Sequence, residues 1–210
     1  MGDLANRQAH EPRPKRRLPT PQRRQTLVDA ACELFAERGY DDVTLDEVAV
    51  RAGVTKVIVY RHFGSKKALY LTLLAAHRDE LLGTLAEGMA IQRPLEERVP
   101  AVADAWFAYV EAHPFAWAML FRDTTGDPEI RAFHETMRDT ARAAVAGLLT
   151  AEASLDLDPH AVEPTAEVLR SAMTGLALWW LDHPQTERPT LVDTIVQTIW
   201  HGIASTTSRT

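Results

Sequence analysis

The sequence has few of the features that mark secreted or membrane proteins. It contains a single cysteine, Cys32, among 210 residues, so no internal disulfide can form. No run approaches eighteen apolar residues, because even the most apolar segment, 169–181, is interrupted at Arg170 and Thr174. The amino terminus lacks the apolar stretch of a secretory signal peptide. These absences predict a cytoplasmic protein that does not span a membrane.

The motifs of common enzyme classes are also missing. There is no G-x-G-x-x-G, G-x-x-x-x-G-K, H-E-x-x-H or G-x-S-x-G segment. The eight histidines are scattered, and the pairs His134-Glu135 and Asp182-His183 are adjacent in sequence, so they do not share a helix face. Cys32 lies on an apolar stripe, where nothing would activate a thiolate. The sequence therefore predicts no catalytic activity, no cofactor and no metal site.

Charge is unevenly distributed along the chain. The net charge is −6, but residues 1–82 hold 14 Lys and Arg against 11 Asp and Glu, whereas residues 83–210 hold 9 against 18. Segment 51–67 contains five basic residues and no acid. A local basic stretch in an acidic protein favours contact with a polyanion such as nucleic acid. The alternative is an ordinary solvated helix face.

The first twenty residues differ from the rest of the chain. Residues 1–20 are rich in arginine and proline and contain almost nothing apolar, so they cannot bury enough surface to fold. We expect a flexible basic arm, in which Arg13, Lys15, Arg16 and Arg17 add affinity for a polyanion. From Pro21 onwards, apolar residues recur at intervals of three and four, which is the pattern of an amphipathic helix.

Two short helices with a tight turn follow this first helix. Thr44 and Glu47 have the spacing of a capping box, which predicts a helix over 45–52. Gly53 ends it, and Thr55 can cap a second helix over 56–63. Such a pair of helices is a helix-turn-helix signature.

The remainder of the chain reads as further helices, and nothing alternates with period two. The predicted segments are 66–90, 94–112, 114–121, a helix starting at Pro128, 164–181 and 191–204. We therefore predict an all-α protein of about nine helices. It comprises an N-terminal helix-turn-helix domain of three helices, residues 21–67, and a larger C-terminal helical bundle, residues 68–210.

Four segments of the N-terminal region resemble the TetR family of transcriptional regulators. They are GY at 39–40, VTLDEVA at 43–49, AGVTK at 52–56 and YRHFGSK at 60–66. The resemblance implies a homodimer that binds an operator in double-stranded DNA and a small-molecule effector. It also implies which residues approach DNA, although many family members have glycine or proline at the position of Val57. The implied residues are Thr44, Thr55, Lys56, Val57, Ile58, Tyr60, Arg61, His62 and Lys66.

The residues of the predicted recognition helix, 56–63, support this assignment on physical grounds. Val57, Ile58 and Val59 are consecutive, so they cannot all face one core. Spacing to Phe63 places Val59 on the buried side, which leaves Val57 and Ile58 to contact thymine methyl groups in the major groove. The alternative is that Val57 or Ile58 packs on the first helix. Tyr60 and His62 have tips suited to phosphate, yet both residues could also be half-buried structural groups.

The last two predicted helices offer a surface for dimerisation. One carries the stripe Val192, Ile195, Val196, Ile199 and Ile203, and the other carries Ala172, Gly175 and Trp179. Two such helices from each subunit would form a four-helix interface, as the resemblance implies. The alternative is that both stripes fill the core of the monomer.

Bulky side chains in the C-terminal bundle predict an effector pocket. An apolar lining indicates an apolar or aromatic ligand, with Tyr109, His113 or His134 as polar contacts. The alternative is that these residues only fill a core. The function predicted is a repressor released from its operator by such an effector, and the competing hypothesis is a DNA-binding protein without an effector whose large half only dimerises. The candidate pocket residues are Trp106, Tyr109, Trp117, Phe121, Met137, Met173 and Trp179.

Overall fold

A computed structural model describes residues 20–90, 93–122, 126–152, 155 and 157–200 of the chain. Within these residues the protein has nine α-helices and no strand, which confirms the predicted all-α class. The expected basic arm lies outside the described residues except for Thr20. The helices are α1 (Thr20–Arg38), α2 (Leu45–Arg51), α3 (Lys56–Phe63), α4 (Lys66–Ala90), α5 (Leu95–Ala112), α6 (Pro114–Phe121), α7 (Pro128–Ala151), α8 (Val162–Leu181) and α9 (Arg188–Ile195).

The predicted helix bounds hold for α3, α4 and α6 and shift at other ends. α8 begins at Val162 rather than Pro164, because a proline fits the first turn of a helix as well as its first residue. The predicted final helix, 191–204, differs more. α9 begins at Arg188 and ends at Ile195, and a π-helical segment, Val196–Trp200, continues it.

α1, α2 and α3 form a compact unit with the first half of α4. Its core, which we call the N-terminal core, includes an aromatic cluster in which the ring of Tyr70 lies 4.8 Å from that of Phe35 and 5.0 Å from that of Tyr40. Val59 and Phe63 bury the inner side of α3 in this core, as predicted. Gly53 and Gly64 end α2 and α3 with positive φ, which a residue with a Cβ rarely adopts.

A second hydrophobic cluster, the C-terminal core, joins α4, α5, α6, α8 and α9. It is centred on Phe107, Trp117 and Trp180. α6 contributes to both clusters, because Trp117 belongs to the C-terminal core while Met119 and Leu120 belong to the N-terminal core. The predicted division of the chain at residue 67 is therefore crossed by continuous packing through α4 and α6.

None of the helices in the described part of the chain combines the length and the apolar character needed to cross a bilayer.

The capping box predicted at the start of α2 is present and is extended by an arginine. The backbone amide of Glu47 donates to Thr44 Oγ1 at 3.3 Å, and the amide of Thr44 donates to Glu47 Oε2 at 2.8 Å. Arg38 at the end of α1 donates to Glu47 Oε1 at 2.8 Å. The hydrogen bonds from Thr44 and then from Arg38 lower the pKa of Glu47 from 4.5 to about 2.

We expect Glu47→Gln to lower the free energy of unfolding at neutral pH, and we expect that loss to shrink in acid. The folded-state pKa lies below the ordinary value of 4.5, so the stabilisation is complete above that value. It disappears as the pH falls towards about 2, where the folded carboxylate takes up its proton. Urea unfolding of wild type and variant across this range measures the difference. Glu135→Gln, an exposed change on α7, is the control, and a pH-independent difference would contradict the assignment.

Candidate DNA-binding surface and effector cavities

The outer side of α3 presents an apolar residue among polar ones. Val57 is 68% exposed, and Lys56, Tyr60 and Arg61 are exposed on the same short helix. Ile58 is partly buried and packs against the N-terminal core, so the alternative interpretation describes Ile58 better than Val57. Of the two residues expected to contact bases, Val57 alone is openly presented in this arrangement.

The acid-free stretch of the sequence is not free of acids in space. The guanidinium of Arg51 pairs with two carboxylates of α1, Glu33 at 3.0 Å and Glu37 at 3.1 Å. Lys67 Nζ lies 2.6 Å from Glu129 Oε2 at the start of α7. These pairs link α2 to α1 and α4 to α7, so Arg51 and Lys67 serve as contacts between elements.

Two of the lysines expected at DNA also have protein partners. Lys56 Nζ lies 2.8 Å from Asp46 Oδ1, and both side chains are more than half exposed. Lys66 Nζ donates to the carbonyl oxygens of Tyr40 at 2.8 Å and Asp41 at 3.2 Å, and it stacks 4.4 Å from the centroid of the Tyr40 ring. Lys66 therefore ties the start of α4 to the turn after α1, which is a role that the sequence did not predict.

The remaining predicted DNA contacts are arranged around α3. Among the residues that the structure describes, none pairs with Arg61. Thr55 is the N-cap residue of α3, is exposed and makes no side-chain cap hydrogen bond. His62 is half-buried, with its ring centroid 6.2 Å from that of Phe63. Thr44 is exposed and holds the capping box of α2. The outer surface of α3 thus combines a guanidinium without a partner in the described part of the chain, an exposed hydroxyl and an apolar side chain.

Three of the seven predicted pocket residues line one cavity of about 310 Å³, which we call the aromatic cavity. Trp106 of α5, Phe121 of α6 and Met137 of α7 contribute to its wall. Leu81 and Leu82 line it from α4, the helix that directly follows α3. The other lining residues are Arg78, Asp79, Thr136, Arg138, Thr140, Ala141, Arg170 and Thr174.

Two polar atoms at the aromatic cavity are buried without a hydrogen-bond partner among the described residues. They are Trp106 Nε1 and Thr174 Oγ1. Buried polar atoms are almost always hydrogen-bonded in folded proteins, and an unpaired one costs free energy. Both atoms are covered by neighbouring groups, so an acceptor in the cavity reaches them only after a small local rearrangement.

Met173 lines a different cavity of about 290 Å³, which we call the aliphatic cavity. Its wall consists mainly of aliphatic residues from α5, α7, α8 and α9, and Arg170 is common to both cavities. Met173 therefore lines a different space from Trp106 and Met137, and the ligand-binding role of each residue stays a prediction. The lining residues are Arg98, Val99, Val102, Ala103, Val145, Leu148, Leu149, Ala151, Glu152, Leu155, Leu169, Arg170, Met173, Ile195 and Ile199.

The other three predicted pocket residues line neither cavity. Trp117 is fully buried, and its ring lies 4.7 Å from that of Trp106 and 4.0 Å from that of Phe121. Tyr109 is buried and donates its hydroxyl to the carbonyl of His77. Trp179 is 42% exposed, and its ring stacks on that of His183 at 4.0 Å. The proposed polar contacts Tyr109, His113 and His134 are likewise absent from both linings.

The structure brings together a polar cluster that sequence reasoning missed. His77 Nδ1 lies 3.6 Å from Glu80 Oε2, and His113 Nε2 lies 3.6 Å from Glu80 Oε1. Cys32 Sγ approaches His77 Nε2 at 3.5 Å. Burial lowers the pKa of His77 and raises that of the Cys32 thiol to about 12. The only local signal was the spacing of three residues between His77 and Glu80, since His113 is distant in sequence.

The predicted dimerisation stripes divide between surface and core. On α8, Gly175 and Trp179 of the predicted stripe are exposed, whereas Ala172 is partly buried against the C-terminal core. Val168, which was not predicted, is 55% exposed on the same side as Gly175 and Trp179. On α9, Ile195 is buried in the C-terminal core, so this helix is used partly by the monomer, as the alternative interpretation holds. Ile203 lies outside the described residues.

Two family models match the chain. The model described as "Bacterial regulatory proteins, tetR family" matches residues 27–73, and the one described as "Tetracyclin repressor-like, C-terminal domain" matches residues 95–202. The HTH-type transcriptional activator FasR of Mycolicibacterium smegmatis is 30% identical to this chain, and the similarity covers 97% of both proteins. The HTH-type transcriptional regulator SrpR of Pseudomonas putida is 39% identical over 82 residues, which cover 39% of this chain and 38% of that protein.

Solved structures share the fold. A TetR-like transcriptional regulator from Rhodococcus sp. RHA1 is 23% identical, with a TM-score of 0.77 over 90% of this chain and 99% of that chain. The fatty acid degradation regulator FadR from Bacillus halodurans is 17% identical, with a TM-score of 0.73 over 87% of this chain and 96% of that one. With a helix-turn-helix unit packed on a helical bundle and both family models matched, the chain belongs to the TetR family of DNA-binding transcriptional regulators.

Proposed function

We propose that this regulator reads its operator through the outer surface of α3. The observation that carries the proposal is the exposure of Val57 beside Thr55, Lys56, Tyr60 and Arg61 on one short helix. Val57 is exposed to solvent on a helix whose other side is buried. An apolar side chain presented in this way suits contact with a thymine methyl group. The neighbouring donors suit phosphate oxygens, which set the register of the helix in the groove.

Lys56 can exchange its partner Asp46 for a DNA phosphate with little loss of free energy. Lys56 and Asp46 are both exposed, and such surface pairs contribute about 0–1 kcal/mol. A phosphate can therefore replace Asp46 as the partner of Lys56, and Arg61 needs no such exchange. In this proposal, Thr44 and His62 lie at the edges of the contact. Ile58 and Lys66 help to position α3 through their contacts with the N-terminal core and with the turn after α1.

We infer that two copies bind one operator through a dimer built on α8 and α9. A single recognition helix reads few base pairs, so helix-turn-helix proteins use two half-sites about 34–36 Å apart. The exposed stripe of Val168, Gly175 and Trp179 supports α8 as the contact. Residues 21–67 then form the reader, residues 68–210 form the effector and dimerisation part, and residues 1–20 follow the duplex as a basic arm.

We propose that a small apolar or aromatic effector carrying a hydrogen-bond acceptor occupies the aromatic cavity. The support is that Trp106 and Thr174, which line this cavity, each carry a buried polar atom with no partner among the described residues, and that the cavity wall includes α4. α4 starts directly after the recognition helix, so its displacement by a ligand would alter the separation of the two readers in a dimer. An effector changes operator affinity only by binding one such arrangement better than the other.

The proposed direction of the switch is release. Effector binding lowers operator affinity, and a cytoplasmic protein released in this way acts as a repressor where its operator overlaps a promoter. FasR is named as an activator, so the assay must measure transcription as well as DNA binding. Transcription that falls when effector-free protein is added supports repression, and transcription that rises contradicts it.

We expect Val57→Ala to relax base preference at one position of each half-site. Loss of a good methyl contact should reduce the discrimination there by about 1–3 kcal/mol. Selection of bound sequences from random DNA, followed by titration of single-base variants, gives the measurement. The control is Val50→Ala, because Val50 of α2 is 80% exposed. Identical base preferences for wild type and Val57→Ala would contradict the proposed contact.

We expect Gly175→Glu to dissociate the dimer and weaken operator binding. A Cβ at this position meets nothing within 4 Å, so the change fits the monomer but places a carboxylate in the proposed interface. Gly147→Glu on α7 is the matched control, since Gly147 is also exposed with nothing within 4 Å. Sedimentation measures the mass of each variant. A Gly175→Glu protein that remains dimeric would exclude α8 from the interface.

We expect Ala141→Trp to abolish effector binding by filling the aromatic cavity. Ala144→Trp, one turn later on α7 and exposed, adds the same side chain outside the cavity. A panel of aromatic ketones, each paired with the hydrocarbon that lacks the oxygen, tests the acceptor. Tryptophan emission and operator binding are followed together. Equal binding by both variants, or equal affinity for ketone and hydrocarbon, would contradict the assignment.

A further inference from the structure

The cluster of His77, Glu80 and His113 has the donors and the spacing of a transition-metal site. One ligand atom from each residue can be chosen so that all three lie within 4.8 Å of one another. Each imidazole nitrogen is 3.6 Å from a different oxygen of Glu80. In a tetrahedral zinc site, bonds of about 2.0–2.1 Å place neighbouring ligand atoms roughly 3.4 Å apart. The two contacts with Glu80 are a few tenths of an ångström longer than this, and the widest pair of the three ligand atoms has to close by up to about 1.4 Å, which side-chain rotation can supply.

We propose that His77, Glu80 and His113 bind Zn²⁺, with a water molecule as the fourth ligand. Two imidazoles and one carboxylate match the preferences of zinc, whereas magnesium and calcium prefer sites made of oxygen alone. The three side chains border a polar cleft of about 490 Å³ to which Asp29 and Glu33 of α1 add negative charge. The cleft gives the ion a path of entry from solvent.

Cys32 acts in this proposal as a positioning residue for His77. Its buried thiol lies 3.5 Å from Nε2 of His77, whereas the other ring nitrogen, Nδ1, faces Glu80. A His77 that binds metal through Nδ1 carries its proton on Nε2, where it can donate to the sulfur. Hydrogen bonds of this kind hold the ring and the tautomer of metal-binding histidines. The hydroxyl of Tyr109 lies 3.2 Å from Nδ1, but it donates its proton to the carbonyl oxygen of His77. The lone pair of Nδ1 is therefore not required as the acceptor for Tyr109.

The position of the cluster explains what a bound ion would do. His77 and Glu80 lie on α4, and His113 is the residue between α5 and α6. The ion would therefore join the helix that follows the recognition helix to the corner at which α6 begins. Because a ligand that binds only the folded state stabilises it, Zn²⁺ should also raise the unfolding temperature.

The test uses the full-length protein without a purification tag. Titration calorimetry with Zn²⁺ should give one site per chain, and Co²⁺ in its place should give the visible absorption of a four-coordinate ion. Glu80→Gln and His113→Gln should each weaken binding by at least ~100-fold, and Cys32→Ala by roughly tenfold or more, as for loss of an orienting partner. The controls are Glu87→Gln on the same helix and His183→Gln, which lies outside the cluster.

The outcomes separate cleanly. The site is supported if Zn²⁺ binds to both control variants but not to Glu80→Gln or His113→Gln. Zn²⁺ should also raise the unfolding temperature of the wild type and leave that of Glu80→Gln and His113→Gln unchanged. No binding by the wild type overturns it. Equal binding by the wild type and the two ligand variants also overturns it, because the ion would then reside elsewhere. A Cys32→Ala protein with unchanged Zn²⁺ affinity would remove the positioning role of the thiol. None of these results depends on the identity of the operator or the effector.

Discussion

The burial of α6 between two hydrophobic cores is the packing interaction on which the rest of the structure depends. Within four consecutive residues of this helix, Trp117 is buried in the C-terminal core, while Met119 and Leu120 are buried in the N-terminal core. α6 also packs on α1, which belongs to the helix-turn-helix unit. Close-packed interiors transmit displacement instead of absorbing it. A change on the side of α6 that faces the C-terminal core therefore has to be accommodated on the side that faces the N-terminal core, even though the two units are separate matches to family models.

The electrostatics of the reader depend on tertiary pairing more than on local composition. Arg51 and Lys67 are paired with acids that come from α1 and α7, and Lys66 is held by backbone carbonyls and an aromatic ring. Among the described residues of α3, Arg61 and the exposed, exchangeable Lys56 remain available to a polyanion. In the proposed function, the basic residues of segment 1–20 add non-specific affinity to these two. The contact of Val57 and the use of two half-sites then supply the specificity.

The parts of the fold that follow from local interactions could be predicted from the sequence. α3, α4 and α6 have the predicted bounds because their ends are set by nearby glycine, proline and capping residues. The Thr44–Glu47 capping box spans only four residues. The cavities were harder, because which side of α8 faces which neighbour is decided by packing between distant segments. Periodicity placed Met173 and Trp106 on apolar stripes but could not assign them to different spaces. The approach of His113 to Glu80 is equally non-local, so no spacing rule could find it.

The unpaired polar atoms at the aromatic cavity connect stability with regulation. Leaving a buried donor unsatisfied costs about 1–3 kcal/mol, and the cavity itself forgoes the dispersion contacts of a filled core. Trp106 Nε1 and Thr174 Oγ1 carry that cost at a wall shared by α4, α5, α6, α7 and α8. A protein selected for stability alone would fill this space with a larger apolar residue, for example in place of Ala141 or Thr174. In the proposed function, an effector that fills this cavity and pairs these atoms recovers part of that free energy. That free energy becomes available for moving α4 only if the filled cavity fits one position of the helix better than the other, and this difference, more than the affinity of the ligand, sets the size of the response.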